Sequence, residues 1–269
     1  MSTIALRVVF VCSVLAVCAT SRAFGQESAQ AASQSEPSKA DSKSKSESNG
    51  KTPDDTKPND LGEDVKIFDK KSLKNWRIVD TFDFDQHGKV EVRDGTIHLE
   101  EGKPATGISI KSKIPKTNYE VSFAARRVKG SDFFCGLTFP IKEEFCTLIL
   151  GGWGGQLVGL SNLDSFNAAE NHTTQVIDFK NGQWYKVRLR VTDEFIRIWV
   201  DGEKIIEVEA NRHKFTIYWE QEPVRPLGLV TWYTYGEIKD LKMHKLQVEK
   251  EVKEAKEASK SNEKSEVSK

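Results

Sequence analysis

The segment with the clearest potential for ligand chemistry is a tryptophan framed by glycines, Gly151-Gly152-Trp153-Gly154-Gly155. Glycine lets the backbone turn sharply and approach a ligand closely. An exposed indole offers a flat apolar face to a sugar ring, and its N–H can donate a hydrogen bond. The segment therefore predicts a binding surface at Trp153. The structural alternative is a core tryptophan at a tight sandwich corner, because glycine-flanked bulges also serve structure alone.

A polar loop of some dozen residues follows, and it supplies the other candidates for ligand binding. These are Asn162, Asp164, Glu170 and Asn171. Amide and carboxylate groups suit sugar hydroxyls because each offers several donors or acceptors. The same oxygens suit calcium, but their spacing matches no calcium-binding loop, so a structural calcium ion is unsupported. The alternative is a solvated loop without a ligand.

These loop residues are expected to lie close to Trp153. Loops at one end of a sandwich cluster, so neighbours in sequence can share one patch. The prediction is a shallow sugar-binding surface formed by Trp153 and the loop. Such a site would be weak, with a dissociation constant near the millimolar range, worth about 4 kcal/mol.

Candidates for catalysis are few. Glu220 and Glu222 flank Gln221, and on a strand such positions would face the same side. Two neighbouring carboxylates can act as an acid/base pair, because the charge of one raises the pKa of the other. A solvated pair without function is the more common outcome. Glu170 is a third weak candidate, and the sequence assigns a catalytic role to none of the three.

The cysteines and histidines give no sign of a metal or nucleophile site. The chain has four cysteines, and only Cys135 and Cys146 lie beyond the N-terminal apolar run. We expect them on neighbouring strands of one hairpin that turns near residues 140–143, either as a disulfide or as two buried thiols. Zinc spacing, Ser/His/Asp motifs and phosphate-binding loops do not occur in the sequence. We expect no cofactor and no metal ion.

The elements that must position these residues are strands. Apolar residues alternate with polar ones along most of the region 61–248, and long helical periodicity is missing. Asp94-Gly95 and Asp201-Gly202 each separate two alternating runs, which predicts tight hairpins. Only the last run, through Ile238, Leu241 and Met243, is spaced imperfectly for a strand. The pattern predicts an antiparallel β-sandwich, with a closed barrel as the structural alternative.

Several of these strands resemble a known family. The motifs are Phe68-Asp69 followed by Leu73 and Trp76, then Gly182-Gln183-Trp184-Tyr185-Lys186-Val187, Trp199-Val200-Asp201-Gly202 and Pro226-Leu227-Gly228-Leu229. Together they resemble the 3-keto-disaccharide hydrolase domain, formerly a domain of unknown function. The resemblance implies a jelly roll of the concanavalin A-like lectin/glucanase type and a carbohydrate-directed role. It carries over no catalytic residue.

The two ends of the chain differ from this region. Arg7, an apolar run from Val8 to Ala19 and Ala23-Phe24-Gly25 predict a signal peptide over residues 1–25. The alternative of a membrane anchor needs a longer apolar run, of about 20 residues. Residues 26–60 are rich in Ser, Lys, Glu and Pro and predict a disordered linker. Residues 249–269 predict a charged tail, disordered or partly a short helix.

Cleavage after Gly25 would remove only basic charges. It leaves 38 basic and 40 acidic residues. This balance lacks the excess of positive charge that is typical of proteins that bind nucleic acid. The sequence thus predicts an exported, periplasmic or extracellular domain that binds or processes a glycan, without a transmembrane helix in the mature chain. Two alternatives stay open, namely an active hydrolase of 3-keto-glycosides or other glycosides, and a non-catalytic structural or adhesion module of the cell envelope.

Overall fold

The alternating pattern produces strands throughout residues 60–247, the part of the chain that the computed structural model describes. Those residues contain fifteen strands. They are β1 (Leu61–Val65), β2 (Trp76–Ile78), β3 (Val90–Arg93), β4 (Thr96–Leu99), β5 (Ala105–Ile110), β6 (Tyr119–Gly130), β7 (Cys135–Ile141), β8 (Glu144–Gly152), β9 (Leu157–Ser161), β10 (Gln175–Val176), β11 (Tyr185–Val191), β12 (Phe195–Val200), β13 (Glu203–Glu209), β14 (Gly228–Trp232) and β15 (Thr234–Leu246). The predicted signal peptide, nearly all of the predicted linker and the predicted tail lie outside the described residues.

The strands form two antiparallel sheets. The first has the order β13-β12-β11-β6-β15-β4-β3, and β1 also pairs with β15. The second has the order β10-β9-β8-β7-β14-β5-β2. The predicted antiparallel sandwich is confirmed. Between residues 60 and 247 there is no helix long and apolar enough to cross a bilayer.

Two of the hairpin turns follow directly from the sequence. Asp94 and Gly95 join β3 to β4 with φ angles of 51° and 75°. Asp201 and Gly202 join β12 to β13 with φ angles of 50° and 90°. Positive φ at both central residues matches the right-handed twist of the paired strands, and Asp-Gly accepts it readily.

The irregular spacing in the last strand has a structural cause. The register of β15 against β6 shifts between Lys239 and Lys242, and Asp240 has a φ of 54°. Such a bulge inserts extra residues into one strand and bends it. Because of it, Ile238, Leu241 and Met243 are all buried in the core although their spacing breaks the strict period of two.

The main core lies between the two sheets, and a second apolar cluster lies on the outer face of the second sheet. That cluster comprises Val79, Phe84, Ala105, Phe133, Ile149, Ala168, Val224 and Val230. Two short 3-10 turns, Phe82–Phe84 and Trp219–Val224, contribute Phe84 and Val224 to it. The two 3-10 turns therefore cover part of the outer face of the second sheet, and a cleft remains beside them.

The two cysteines lie on adjacent strands of one hairpin, as predicted, but they cannot bond to each other. Cys146 pairs in register with Phe139, and Cys135 pairs with Leu150. They are thus four residues apart along the ladder, about 13 Å at a rise of about 3.3 Å per residue. A disulfide needs Cα atoms within about 7 Å. The disulfide alternative is wrong, and both cysteines are free and buried.

These thiols are expected to be inert in the folded protein. Burial raises the pKa of both Cys135 and Cys146, so very little thiolate forms at neutral pH. We expect iodoacetamide to modify neither cysteine in the native chain and both after unfolding, without any reductant. Peptide mapping checks this, and a disulfide-linked peptide pair in a non-reduced digest would contradict it.

Candidate functional site

The cleft on the outer face of the second sheet has a volume of about 280 Å³. This lies near the lower end of the usual range for ligand clefts, about 300–1,000 Å³. Its wall residues come from the β6–β7 connection, from β8 and β9, from the turn between them, from the segment 218–221 and from the end of β14. A cleft of this size suits a single small ring.

The floor of the cleft follows from the alternation of β8. Leu148 and Leu150 point into the main core, so Thr147 and Ile149 face the cleft. The hydroxyl oxygens of Thr147 and Thr138 are 2.8 Å apart. The floor therefore combines an apolar side chain with hydroxyl groups.

Trp153 stands in the turn between β8 and β9 and borders the cleft. Its side chain is 49% exposed, so the core alternative is wrong. Its φ is +45°, and Gly154 and Gly155 follow at +93° and +101°. A Cβ on Gly155 would lie 2.7 Å from the Arg127 Nη1, and the Arg127 guanidinium donates to the Gly155 carbonyl. The glycines thus let the turn sit tightly on Arg127 while the indole projects outward.

Two carboxylates border the same cleft. Asp132 Oδ1 accepts the backbone N–H of Phe133 at 2.7 Å, and the backbone N–H of Trp153 also donates to this carboxylate. Desolvation nevertheless raises the pKa of Asp132 above its ordinary value, against these bonds and the nearby Arg127 charge. Glu220 Oε2 is buried and has no hydrogen-bond partner among residues 60–247. Both groups are thus available to a ligand that carries hydrogen-bond donors.

Aromatic rings complete the walls. Trp232 stacks on Phe133, with ring centroids 6.0 Å apart and an interplanar angle of 27°. Tyr218 borders the opposite segment and is 41% exposed. Together with Trp153, these rings make the cleft both apolar and open to solvent.

The expected pair of glutamates does not form. Trp219–Val224 is a 3-10 turn rather than a strand, and Pro223 lies inside it. Proline donates no backbone N–H, so this segment is a poor strand. Only Glu220 borders the cleft, whereas Glu222 pairs with Arg225 at 2.6 Å. The same-face arrangement predicted for Glu220 and Glu222 is wrong.

The polar loop does not share the cleft with Trp153 either. None of Asn162, Asp164, Glu170 and Asn171 lines it. Asp164 binds His213 Nδ1 at 2.6 Å and the Lys214 N–H at 2.8 Å. Glu170 accepts hydrogen bonds from Asn167, and the Asn162 N–H donates to Thr216 O. These contacts hold the loop away from the cleft, so the predicted joint surface of Trp153 and the loop is wrong. Sugar binding at Trp153 itself stays a prediction.

The side chain of Asn171 makes several hydrogen bonds that stabilise the polar loop. The two hydrogens of its amide nitrogen are shared among the carbonyls of Leu160, Phe166 and Asn167, whose oxygens lie 2.8, 3.1 and 2.7 Å from that nitrogen. Its Oδ1 accepts the N–H and the hydroxyl of Thr173 at 2.9 and 2.6 Å. One side chain therefore contacts four groups of the loop and one carbonyl of β9.

Replacing Asn171 by Ala should destabilise the domain. Each lost hydrogen bond costs about 0.5–1.5 kcal/mol net, so the total is roughly 3 kcal/mol. For a domain of this size the thermal midpoint should fall by roughly 6–12 °C. Calorimetry checks this, with Asn181→Ala as a control, because Asn181 is exposed and its side chain makes no hydrogen bond within residues 60–247. A fall of less than about 2 °C would show that the loop is held by other contacts.

The sequence offered little signal for most residues of the cleft. Asp132 stands alone in a connection, and Trp232 ends a strand without any motif. Their proximity arises from the pairing of β14 with β7 and β5. Among residues 60–247, no group of three or more His, Cys, Asp or Glu side chains could hold a metal ion.

Comparison with known proteins points to one family. A family model described as the 3-keto-alpha-glucoside-1,2-lyase-like domain matches residues 63–244. No curated protein sequence is significantly similar to the chain.

Solved structures show the fold. A Bacillus subtilis protein of unknown function with a galectin-like fold is similar at 10% identity and a TM-score of 0.51, covering 69% of this chain and 97% of its own. A Parabacteroides distasonis protein described as a candidate glycosyl hydrolase is 15% identical, with a TM-score of 0.44 and coverage of 68% and 94%. A carbohydrate-binding module from Bacillus subtilis is 11% identical, with a TM-score of 0.42 and coverage of 63% and 95%.

Proposed function

The chain belongs to the 3-keto-alpha-glucoside-1,2-lyase-like domain family, and on this basis we propose that the cleft beside Trp153 binds one sugar unit of a glycan. The observation that carries the proposal is the composition of the cleft. Three partly exposed rings and two carboxylates open into a space of about 280 Å³. Sugars need both, because the C–H faces of their rings are apolar and their edges carry hydroxyls.

The polar groups of the cleft match sugar hydroxyls in kind. Glu220 Oε2 and Gln221 Oε1 are buried acceptors without a partner in the described part of the chain. A buried acceptor left unpaired costs about 1–3 kcal/mol. A hydroxyl donor from a ligand would remove that cost, so these two atoms favour a ligand rich in O–H groups.

A second function, elimination on a 3-keto-α-glucoside, is favoured by the state of Asp132. A ketone at C3 acidifies the C2 hydrogen. A base can remove that proton, a double bond forms between C1 and C2, and the glycosidic C1–O bond breaks. The departing alcohol oxygen takes a proton, and no water is consumed.

Asp132 suits the role of the base. Desolvation raises the pKa of Asp132, and a base is more effective when its pKa is closer to the working pH. Glu220 would bind and orient a hydroxyl of the same sugar through its unpartnered oxygen. These roles rest on the cleft geometry and on the family to which the chain belongs.

The direct test is incubation of the purified chain with a 3-keto-α-glucoside and, separately, with the parent glucoside. We expect a conjugated enone, seen by its ultraviolet absorbance and by mass, from the keto compound alone. Release of the intact 3-keto sugar, with one oxygen taken from labelled water, would instead identify a hydrolase. Binding without turnover would leave the cleft as a recognition site, and no binding of either compound would contradict the whole proposal.

Glu220→Gln provides a finer test of the cleft. The variant keeps the size of the side chain and adds a donor, so the affinity for a sugar should fall by about tenfold, or about 1.4 kcal/mol. Glu222→Gln is the matched control, because Glu222 pairs with Arg225 away from the cleft. Equal effects of the two substitutions would remove Glu220 from the site.

We also propose that the chain acts outside the cytoplasm, on the grounds of the predicted signal peptide. Detection of a mature N-terminus at Gln26 in secreted or periplasmic material would support this proposal. The alternative of a structural or adhesion module lacks an observation in its favour, since flat faces without an aromatic cleft would be expected for it.

A further inference from the structure

The outer face of the first sheet carries a positively charged depression. The cleft lies on the other sheet. The depression is formed where three adjacent strands, β11, β6 and β15, present their outward side chains. We call it the cationic trough. Its floor and walls are Ser122, Ala124, Lys186, Arg188, Lys239 and Lys242.

The trough follows from the strand register. Ser122 on β6 stands between Arg188 on β11 and Lys242 on β15. Two residues further along, Ala124 stands between Lys186 and Lys239. Two small side chains are thus flanked by four cationic ones, with neighbouring strands about 4.8 Å apart. Like charges so placed repel one another, which is unfavourable for the free protein.

Nearby acids cancel only part of this positive charge. Arg188 Nη1 lies 4.0 Å from Glu120 Oε2, whereas the trough itself is lined by four cationic and two acidic side chains. No ion pair between described residues involves Lys186 or Lys242. The two acidic side chains that border the trough are Asp201 and Asp240. Asp201 Oδ1 accepts the Lys186 backbone N–H at 2.7 Å, and Asp240 pairs with Lys70 at 2.8 Å. The trough therefore offers a net positive field to an anion.

Two tryptophans fix the cations in place. Lys239 Nζ lies 4.2 Å from the centre of the Trp184 ring, and Arg126 lies 4.6 Å from the same ring. The Arg188 guanidinium lies 3.9 Å above Trp199. Cation–π contacts of this kind restrict the conformations of long side chains. Binding an anion therefore costs less conformational entropy, because these side chains are already ordered in the free protein.

We propose that the cationic trough binds an anionic polysaccharide through its sulfate or carboxylate groups. The charge of the trough requires an anionic partner. Nucleic acid fits less well, because cations already cover the tryptophan faces on which bases would stack. A membrane surface fits less well too, because none of the exposed large apolar side chains in residues 60–247 lies in the trough. The proposal does not depend on the function of the cleft.

The experiment compares heparin, polygalacturonate, neutral dextran and a DNA duplex as ligands of the full chain in calorimetric titrations. We expect binding to one or both anionic polysaccharides at low ionic strength and none to dextran. Binding should disappear at about 1 M salt, where the Debye length falls to about 3 Å. Heparin and polygalacturonate distinguish sulfate from carboxylate recognition.

Two triple variants of equal charge locate the site. Lys186→Gln, Lys239→Gln and Lys242→Gln together should weaken polysaccharide binding by roughly tenfold or more. The control combines Lys71→Gln, Lys103→Gln and Lys214→Gln, three exposed lysines outside the trough, and should change the affinity by less than about twofold.

Three results would overturn the proposal. One is an equal loss in both triple variants, and another is the failure of both anionic polysaccharides to bind the wild-type chain. The third is a DNA duplex that binds as tightly as the polysaccharides and is lost in the trough variant alone, which would assign the trough to nucleic acid. Unchanged turnover or sugar binding at the cleft in the trough variant separates this outcome from a failure of the proposed function.

Discussion

Asp132→Asn should reduce the cleavage of a 3-keto-α-glucoside by about 10²–10⁴-fold, the usual contribution of a positioned general base. The amide cannot accept the C2 proton, although its oxygen can still accept the Phe133 N–H. Substrate affinity should change much less, because the substitution preserves the size and shape of the side chain. Single-turnover rates with the variant and with wild type are the measurement.

The pH dependence gives an independent readout of the same residue. The base must be ionised, and burial raises the pKa of Asp132 above the ordinary 3.8. The rate should therefore fall as pH falls through a value above 3.8, and this acid limb should vanish in Asp132→Asn. Asp80→Asn, an exposed aspartate outside the cleft, should keep both rate and profile. A wild-type profile retained by Asp132→Asn at a reduced rate would contradict the assignment.

Although Asp132→Asn should lower the activity, it should either raise the stability of the fold or leave it unchanged. Because its folded-state pKa is raised, Asp132 stabilises the fold relative to the unfolded chain only while protonated, and this contribution is lost as pH rises through the raised value. At neutral pH the wild-type carboxylate is thus a partly desolvated charge that disfavours the folded state. Asp132→Asn should leave the thermal midpoint unchanged or raise it slightly, so a loss of turnover cannot be attributed to unfolding.

The second large effect is expected for Trp153→Ala. Loss of an aromatic anchor at the centre of a binding site costs about 2 kcal/mol or more, equivalent to roughly 30-fold in affinity. The thermal midpoint should stay nearly constant, because the indole is 49% exposed and is not part of either apolar cluster. Titration with the sugar and a thermal melt of the same preparation give both quantities.

The control for Trp153→Ala is Phe166→Ala. Phe166 is 57% exposed and lies in the polar loop outside the cleft. It should lose no affinity. A drop in melting temperature of roughly 6 °C or more for Trp153→Ala, as expected for truncation of a core tryptophan, would make the residue structural and remove it from the site.

The features that were predicted correctly from the sequence depend on residues that are close together in the chain. The turns at Asp94-Gly95 and Asp201-Gly202 depend on two residues each, and both formed as predicted. The sharp turn at Trp153 also depends on neighbouring residues, because Gly154 and Gly155 adopt positive φ angles. The alternation of β6 and β11 gave the faces of the first sheet for the same reason.

The parts that failed depend on contacts between distant segments. The segment around Glu220 packs over the second sheet as a 3-10 turn, with Val224 in the outer apolar cluster. Strand periodicity therefore did not apply to it. Asn171 was predicted to bind a ligand, and here the failure is local, because its side chain instead bonds to backbone groups of its own loop and of β9. Asp132 reaches the cleft only through the tertiary arrangement, so no motif marked it.

The two proposed sites would serve different parts of a polymeric ligand. The cleft accommodates one ring, whereas the trough would contact charged groups along a chain. They lie on the outer faces of opposite sheets. A polymer able to reach both would bind more tightly than the sum of the separate contacts suggests, through a raised effective concentration.

The most direct test of the central claim is a crystal structure of the Asp132→Asn variant soaked with a 3-keto-α-glucoside. We expect one sugar ring in the cleft, with a face against Trp153, a hydroxyl bonded to Glu220 and C2 facing residue 132 at a separation of about 3–3.5 Å. A cleft that stays free of sugar at saturating ligand, or a sugar bound only elsewhere on the molecule, would contradict the account.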